Sequence, residues 1–450
     1  MFGALGLAAL PTSAQERAAE AASLAASARA FAAASDVERE HWRKSIAATP
    51  RPTKGCFQAS YPETQWRAVP CDYRPRKLRL PSGGTGVRLE TVGGVNGDMT
   101  AQVTGGITQA EGSFDSVSTT GETDSLAGAG KYSLQLNTEF FNTSVCTGAG
   151  ASCQGWVQYI FDDDGSTSIQ YWMIRYGAPG ASCPTPHAAT CAGGFVYTDG
   201  WCPFTIGAFG YCAVNSPVAH AGAVASTALA SVVLQGNAQV GSASESVTAT
   251  VSGHATTATG GNYFPDLGSN WHEAEFNVFG AGNSSVANFD ANTTLVVRVG
   301  VDSGVATGPG CDFQSYTAET NNLSIVSTAG TPAHNGHPSL VFTESNTGTA
   351  TPSCTAGVSV GDTHLTTFDG LHYDFQAAGE YVLAEVAGEF AVQVRQASGA
   401  PTWPNAAVNK GVAVGMGRSR VVLQVEPARL EVDGAARALA DGGSIVLADN

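Results

Sequence analysis

The chain has 450 residues, 43% hydrophobic and 13% charged, with 54 glycines. Acidic residues outnumber basic ones 38 to 22, a formal charge of −16, so the surface repels nucleic acid and anionic membranes. No apolar run of spanning length follows the first residues, and sparse charge with abundant Gly, Ser and Thr fits an exported β protein rather than a coiled coil or a charge-rich disordered chain.

Phe2 to Leu10 are apolar or small, and Thr12-Ser13-Ala14 offers small residues at a cleavage position. Residues 1–14 therefore read as a signal peptide without its basic leader. Residues 15–50 are rich in Ala, Glu and Arg, with no Gly. Leu24, Ala28, Phe31 and Ala32 fall at helical spacing. One Ala-rich helix over 15–48 is expected, as a propeptide, a stalk or a helix packed across a sandwich.

From residue 51 the period changes to two. Strands are expected at 87–91, 99–104, 113–118, 132–141, 155–161 and 168–176, then at 230–234, 246–251, 273–279, 294–301, 323–326 and 340–343. Asp164-Gly165, Gly260-Gly261 and Ala281-Gly282 supply turns between them. Many short strands with glycine turns predict a mainly β fold: a jelly-roll-like antiparallel β-sandwich over 51–345. A Cys-rich loop at 177–222 absorbs much of its length. The polar stretch 346–357 reads as a linker.

Ten cysteines, an even number with no CxxC, argue for disulfides rather than zinc. Their order along the chain suggests Cys56–Cys71, Cys146–Cys153, Cys183–Cys191 and Cys202–Cys212, with Cys311–Cys354 by elimination. Such bridging belongs to an oxidising compartment.

Gln154-Gly155-Trp156 and Glu273-Ala274-Glu275-Phe276 loosely resemble the strands of glutamic peptidases, which implies Glu275 as general base and Gln154 as carbonyl polariser. Trp156, Tyr159, Tyr171, Trp172 and Trp271 could stack on sugars, or form core. Asp162-Asp163-Asp164-Gly165 reads as a solvated hairpin tip. His334 and His337 lack an acidic base between them, and no HExxH, Gly-x-Ser-x-Gly or Gly-Lys-Ser motif occurs. Arg74, Arg76, Lys77 and Arg79 read as a solvated basic approach to a strand. Asn142, Asn283, Asn292 and Asn322 begin glycosylation sequons. No residue is assigned as catalytic.

Beyond 358 the chain reads as an antiparallel meander. Asp369-Gly370 lies between two apolar runs, a two-residue hairpin signal. Further strands are expected at 380–384, 390–395, 411–414, 420–425 and 430–432, the last paired with 444–447. The order Gly361-Asp362-Thr363-His364, Thr367-Phe368-Asp369-Gly370, Tyr373-Asp374-Phe375, Glu380-Tyr381-Val382-Leu383 closely resembles the start of a von Willebrand factor type D domain. Phe390–Arg395, Asn409 and Gly411–Val414 also fit. The resemblance covers 358–450 and implies a partial domain whose parent chain is longer. Asp362 matches the family's upstream calcium ligand, so the resemblance implies calcium as a cofactor of the full-length form, with Asp362 one of six to eight oxygen donors. Asp369 and Asp374 read as turn residues. No cysteine follows Cys354, unlike the disulfide-assembling members. Gly55–Pro62, with Trp66 and Cys71, also resembles the opening of secreted bacterial β-sandwich proteins of unassigned activity.

Together these readings describe a secreted or cell-surface adhesive or structural interaction protein that takes an extracellular protein or glycan partner. It needs no nucleic acid and no membrane span. The alternative is a secreted hydrolase of glutamic-peptidase type, or a carbohydrate-binding sandwich.

Overall fold

The computed structural model describes residues 14–49, 54–82, 92–94, 97–147, 149, 152–191, 195–238, 245–304, 309–334, 337–347, 358–360, 363–366, 372–386, 390–438, 445 and 447. The chain forms two compact units, Met1–Cys354 and Thr355–Asn450. They divide inside the polar stretch 346–357. The expected leader 1–14 and the strand at 87–91 lie almost wholly outside the described residues.

The first unit is built on two nine-stranded sheets. The first runs, edge to edge, Arg67–Val69, Cys56–Ser60, His254–Thr259, Ser246–Val251, Val232–Asn237, Gln109–Ser118, Thr294–Asp302, His337–Ser345, Ser324–His334. The second runs Cys202–Ile206, Phe209–Asn215, Ser166–Gly177, Gln154–Asp162, Tyr132–Thr138, Glu273–Gly280, Asp98–Gln102, Gly310–Gln314, with Ala219–His220 paired on Ser166–Gly177. Neighbours in both sheets are antiparallel, as the period-two pattern with short glycine turns requires.

Inward-facing side chains of the two sheets interdigitate. Leu134, Leu136, Val157, Tyr159, Phe161, Ile169, Tyr171, Phe276 and Val278 meet Phe114, Leu234, Val247, Leu295, Val297 and Val299, all buried. Two glycines make room for rings. A Cβ on Gly112 would overlap the Phe276 ring, and one on Gly236 would overlap Tyr159. These aromatic knobs enter glycine holes on adjacent strands, which keeps the layers close-packed.

The single helix expected over 15–48 is two: Ala14–Ala33 and Asp36–Ala48. Ser35 caps the second, accepting from Glu38 N while the Glu38 carboxylate accepts from Ser35 N. This Ser-x-x-Glu box offers the backbone a start signal in mid-run. Trp42 and Ile46 of the second helix bury against Phe57, Ala59 and Ala255 of the first sheet. Trp42 Nε1 donates to Glu63 O at 2.7 Å, and Trp66 Nε1 donates to Thr49 O at 3.1 Å.

The described disulfides are Cys56–Cys71, Cys146–Cys153, Cys183–Cys212 and Cys191–Cys202. The expected Cys183–Cys191 and Cys202–Cys212 pairs are corrected. The supposed loop 177–222 contains a hairpin in which Cys202 pairs with Ala213 and Pro203 with Cys212. Neighbouring positions on a strand point to opposite faces, so Cys202 and Cys212 cannot meet. Each bonds instead to a cysteine of the preceding segment on its own side. The Cys311–Cys354 pairing lies outside the described residues, because Cys354 does.

The second unit holds a three-stranded sheet, Val358–Val360, His364–Thr366, His372–Asp374, and a six-stranded meander, Gly379–Val386, Phe390–Gly399, Trp403–Met416, Ser419–Val425, Ala428–Val432, Ala435–Arg437. Thr366 pairs with His372, and the expected turn at Asp369-Gly370 lies outside the described residues. Ala428–Val432 takes Ala435–Arg437 as its partner rather than the expected strand at 444–447. The nearer segment follows a short turn at Asp433-Gly434, both at positive φ, and closes the smaller loop.

Candidate functional site

Among the described residues, the outer face of the second sheet carries a concentrated set of buried polar side chains. Its strands alternate apolar and amide residues: Leu134-Gln135-Leu136-Asn137, Val157-Gln158-Tyr159, Ile169-Gln170-Tyr171, Phe276-Asn277-Val278. The apolar set fills the sandwich, which turns the polar set outward. Register aligns one lateral row across seven strands: Asn215, Gln170, Gln158, Asn137, Glu275, Thr100, Asp312. All but Asp312 are buried, most of them completely.

Two segments cross this face and cover it. Arg79 N donates to Gln170 Oε1 at 3.1 Å, and Gln170 Nε2 donates to Lys77 O. Tyr316 N donates to Glu275 Oε2 at 3.2 Å. Ala318 N donates to Leu80 O and Ser82 N to Tyr316 O, tying the two segments together. Beneath them Trp156, Trp172, Tyr211 and Tyr316 form a second core with Phe140 and Phe204.

Within the row, Asn137 Nδ2 donates to Glu275 Oε2 at 2.8 Å and Gln158 Nε2 to Gln135 Oε1 at 2.9 Å. Asn137 Oδ1, Gln158 Oε1, Glu275 Oε1 and Trp156 Nε1, on neighbouring positions, are buried with no protein partner. Thr100 Oγ1 donates to Glu273, and Glu139 accepts from the backbone N–H groups of His272 and Glu273 at 2.7 and 2.9 Å. Burial pushes the Glu275 and Glu273 carboxyls up to about 7. One step along, Asn277 Nδ2 donates to both oxygens of Asp98 at 3.3 Å and to Glu344 Oε2 at 3.2 Å.

Gln154 and Glu275 share this face but do not converge. Gln154 lies four residues from Gln158, about 13 Å along the strand, and its Nε2 is held by Phe140 O at 2.9 Å. The residues beside Glu275 are Asn137, Thr100 and Tyr316, and Glu275 itself is completely buried. Trp156, Tyr159, Tyr171, Trp172 and Trp271 are likewise completely buried. They serve as core on both faces of the sheet and leave no open aromatic row for a sugar.

Two clusters expected to be solvated find each other. Arg79, 2% exposed, pairs with Asp162. Arg74 and Arg76 pair with Asp72. The hydrogen bond from Arg74 holds the Asp72 carboxyl well below the usual range, against burial that raises it. Asp163 takes Lys131 Nζ at 2.7 Å, and Asp164 accepts from Ser166 N at 2.9 Å. His334 and His337 pair across the end of a hairpin. Of the sequon residues, Asn142, Asn283 and Asn292 are exposed, while Asn322 binds the backbone of Phe289 through both amide atoms.

Asp362 and Asp369 lie outside the described residues of the second unit. Asp374 pairs with His364, Oδ1 to Nδ1 at 2.6 Å. Thr363 has φ 62, a conformation closed to proline. It is held there by donating to Ala407 O and by accepting from Phe375 N. Among the described residues no three His, Cys, Asp or Glu side chains gather as a metal site. On the meander, Tyr381, Val394, Val412, Leu423 and Leu430 form one apolar row, with Leu423 51% exposed.

No sequence motif marks the row centred on Asn137, Gln158 and Glu275. Its only sequence signal is alternation in which the second set is amide rather than charged. Comparison with known proteins bears on the second unit alone. Residues 357–439 match the family model of the von Willebrand factor type D domain. No curated protein matches the chain. No described helix is long and apolar enough to cross a membrane.

Proposed function

We propose that this is an extracellular adhesive or structural protein in which a disulfide-braced sandwich is joined to a type D module that makes the interactions. The match over 357–439 carries the reading. Four disulfides support export to an oxidising compartment. The half-exposed apolar row through Leu423 supplies contact area for an extracellular protein or glycan partner. Calcium would brace the module through Asp362. Among the described residues no three His, Cys, Asp or Glu side chains gather as a metal site, and the reading concerns the full-length form.

The experiment coats beads with the whole chain or with residues 1–354. Adhesion to cell surfaces, or between beads, by the whole chain and not by the shorter piece is expected. Equal behaviour of the two refutes an adhesive type D module. Melting of the full-length protein in calcium and in chelator tests the Asp362 reading, which fails if the two curves coincide. Thiol titration that finds ten reactive groups would refute export to an oxidising compartment.

A further inference from the structure

Buried carboxyls are normally matched by buried cations. Here Asp98, Glu122, Asp124, Glu245, Glu273, Glu275, Glu319 and Glu344 are all less than 9% exposed, and Arg79 is the only Lys or Arg among the described residues with comparable burial. The densest group stands where the two sheets meet. Asp98 and Glu275 come from adjacent strands of the second sheet, and Glu344 comes from His337–Ser345 of the first. All three are completely buried. Strand pairing between Glu273–Gly280 and Asp98–Gln102 stops at Glu275 opposite Thr100. Beyond that point Asn277 takes over, with one amide nitrogen bound to Asp98 and Glu344 together.

We propose that this group is a proton-operated latch: Asp98 and Glu344 close round Asn277, with Glu275 beside them, only while the three carboxyls hold protons, and rising pH releases this end of the first sheet from the second. Three carboxylates cannot be ionised together there, because each would face the others in a medium of low dielectric. No cation from the neighbouring elements named here compensates them. The second sheet adds Glu273, Thr100 and Asp312, together with Asn137 on Glu275. The covering segment adds Tyr316 and Glu319, the latter bonded to Thr317. The strand Thr320–Asn321 adds the neutral Asn321 amide, whose Nδ2 donates to Val278 O and whose Oδ1 accepts from Leu323 N. All of these are neutral or acidic. Arg79 is committed to Asp162.

The direction of the effect follows. Burial raises all three carboxyls, Glu275 to about 7 and Glu344 to about 8, and the neighbouring carboxylates raise Asp98 further. A raised carboxyl stabilises the fold fully below its unfolded value, and that contribution is lost as pH climbs through the folded value. The latch therefore holds fully only below the ordinary carboxyl range, loosens as pH climbs from there, and has lost the Glu275 and Glu344 contributions by about pH 8. Each proton surrendered multiplies the unfolding constant about tenfold per pH unit.

The test follows thermal unfolding of the full chain from about pH 5 to about pH 9, for the parent and for Asp98→Asn/Glu344→Gln. These amides keep the shape and cannot ionise. The parent should lose melting temperature steadily from about pH 5 to about pH 8 and then level off, and the variant should lose clearly less. Amides of His337–Ser345 should exchange faster at the alkaline end in the parent only. A parent that melts independently of pH, or a variant with the parent's full slope, overturns the proposal. Should the variant fail to fold, the parent decides alone. Its infrared spectrum at neutral pH must show protonated buried carboxyl bands that vanish on unfolding, and their absence overturns the latch.

Discussion

Replacing Arg79 by methionine tests how the strap over the second sheet is held. Met keeps most of the length and apolar stem of Arg but removes the guanidinium that meets Asp162. The backbone bond from residue 79 to Gln170 Oε1 survives. Asp162 then stays buried beside Asp163 and Asp164 with its main cation gone. Burial already raises its pKa, Arg79 being the chief lowering influence. Breaking a buried pair from one side costs about 3–5 kcal/mol. With an unfolding entropy of roughly 2 cal/mol/K per residue over on the order of 300 residues, that is a fall of ~5–8 °C in melting temperature. The deficit depends on pH. Without Arg79 the folded pKa of Asp162 climbs further, so the carboxyl can protonate; the loss is smallest in acid and grows toward neutrality. Calorimetry of parent, Arg79→Met and Arg79→Met/Asp162→Asn, in acid and at neutral pH, reads this directly. The double variant should regain most of the loss. If Arg79→Met melts with the parent at neutral pH, or if the double variant is no better than the single, the pair does not hold the strap.

A non-reducing peptide map should return Cys183 with Cys212 and Cys191 with Cys202. Removing the first pair should cost about 3.6 kcal/mol and the second about 2.8 by loop-closure entropy, from separations of 29 and 11 residues. Gly112→Val drives a side chain into the Phe276 ring and should cost at least about 1–3 kcal/mol, measured by urea unfolding, whereas the same change at Gly304, which faces open space, pays only for its positive φ. Trp42→Ala empties the contact with Phe57 and Ala255 and should cost about 3–5 kcal/mol, read as early proteolysis within residues 36–48 before the sandwich is cut.

Much of the architecture was legible in the chain. Strands such as Ser246–Val251 and Glu273–Gly280 announce themselves by period-two patterning, because a pleated strand with one face in a core must alternate. The type D module is carried by a contiguous motif order, which is why 357–439 could be recognised without any tertiary knowledge. Local chemistry also explains the break at Ser35, although an Ala-rich run hides it.

What only the tertiary structure decided is which distant segments become neighbours. Glu273–Gly280 inserts between Tyr132–Thr138 and Asp98–Gln102, and this places Glu275 against Asn137, 138 residues earlier. Strand order in an antiparallel sandwich depends on how long crossovers bury the most apolar surface, and the local pattern is the same whichever strand lies alongside. The cysteine partners followed from that registry rather than from spacing, since a one-residue step on a strand reverses the side on which sulfur emerges. The covered polar row has the same origin: alternation declares two faces, but whether the second meets water or another segment is settled only when residues 76–82 and 314–319 fold across it.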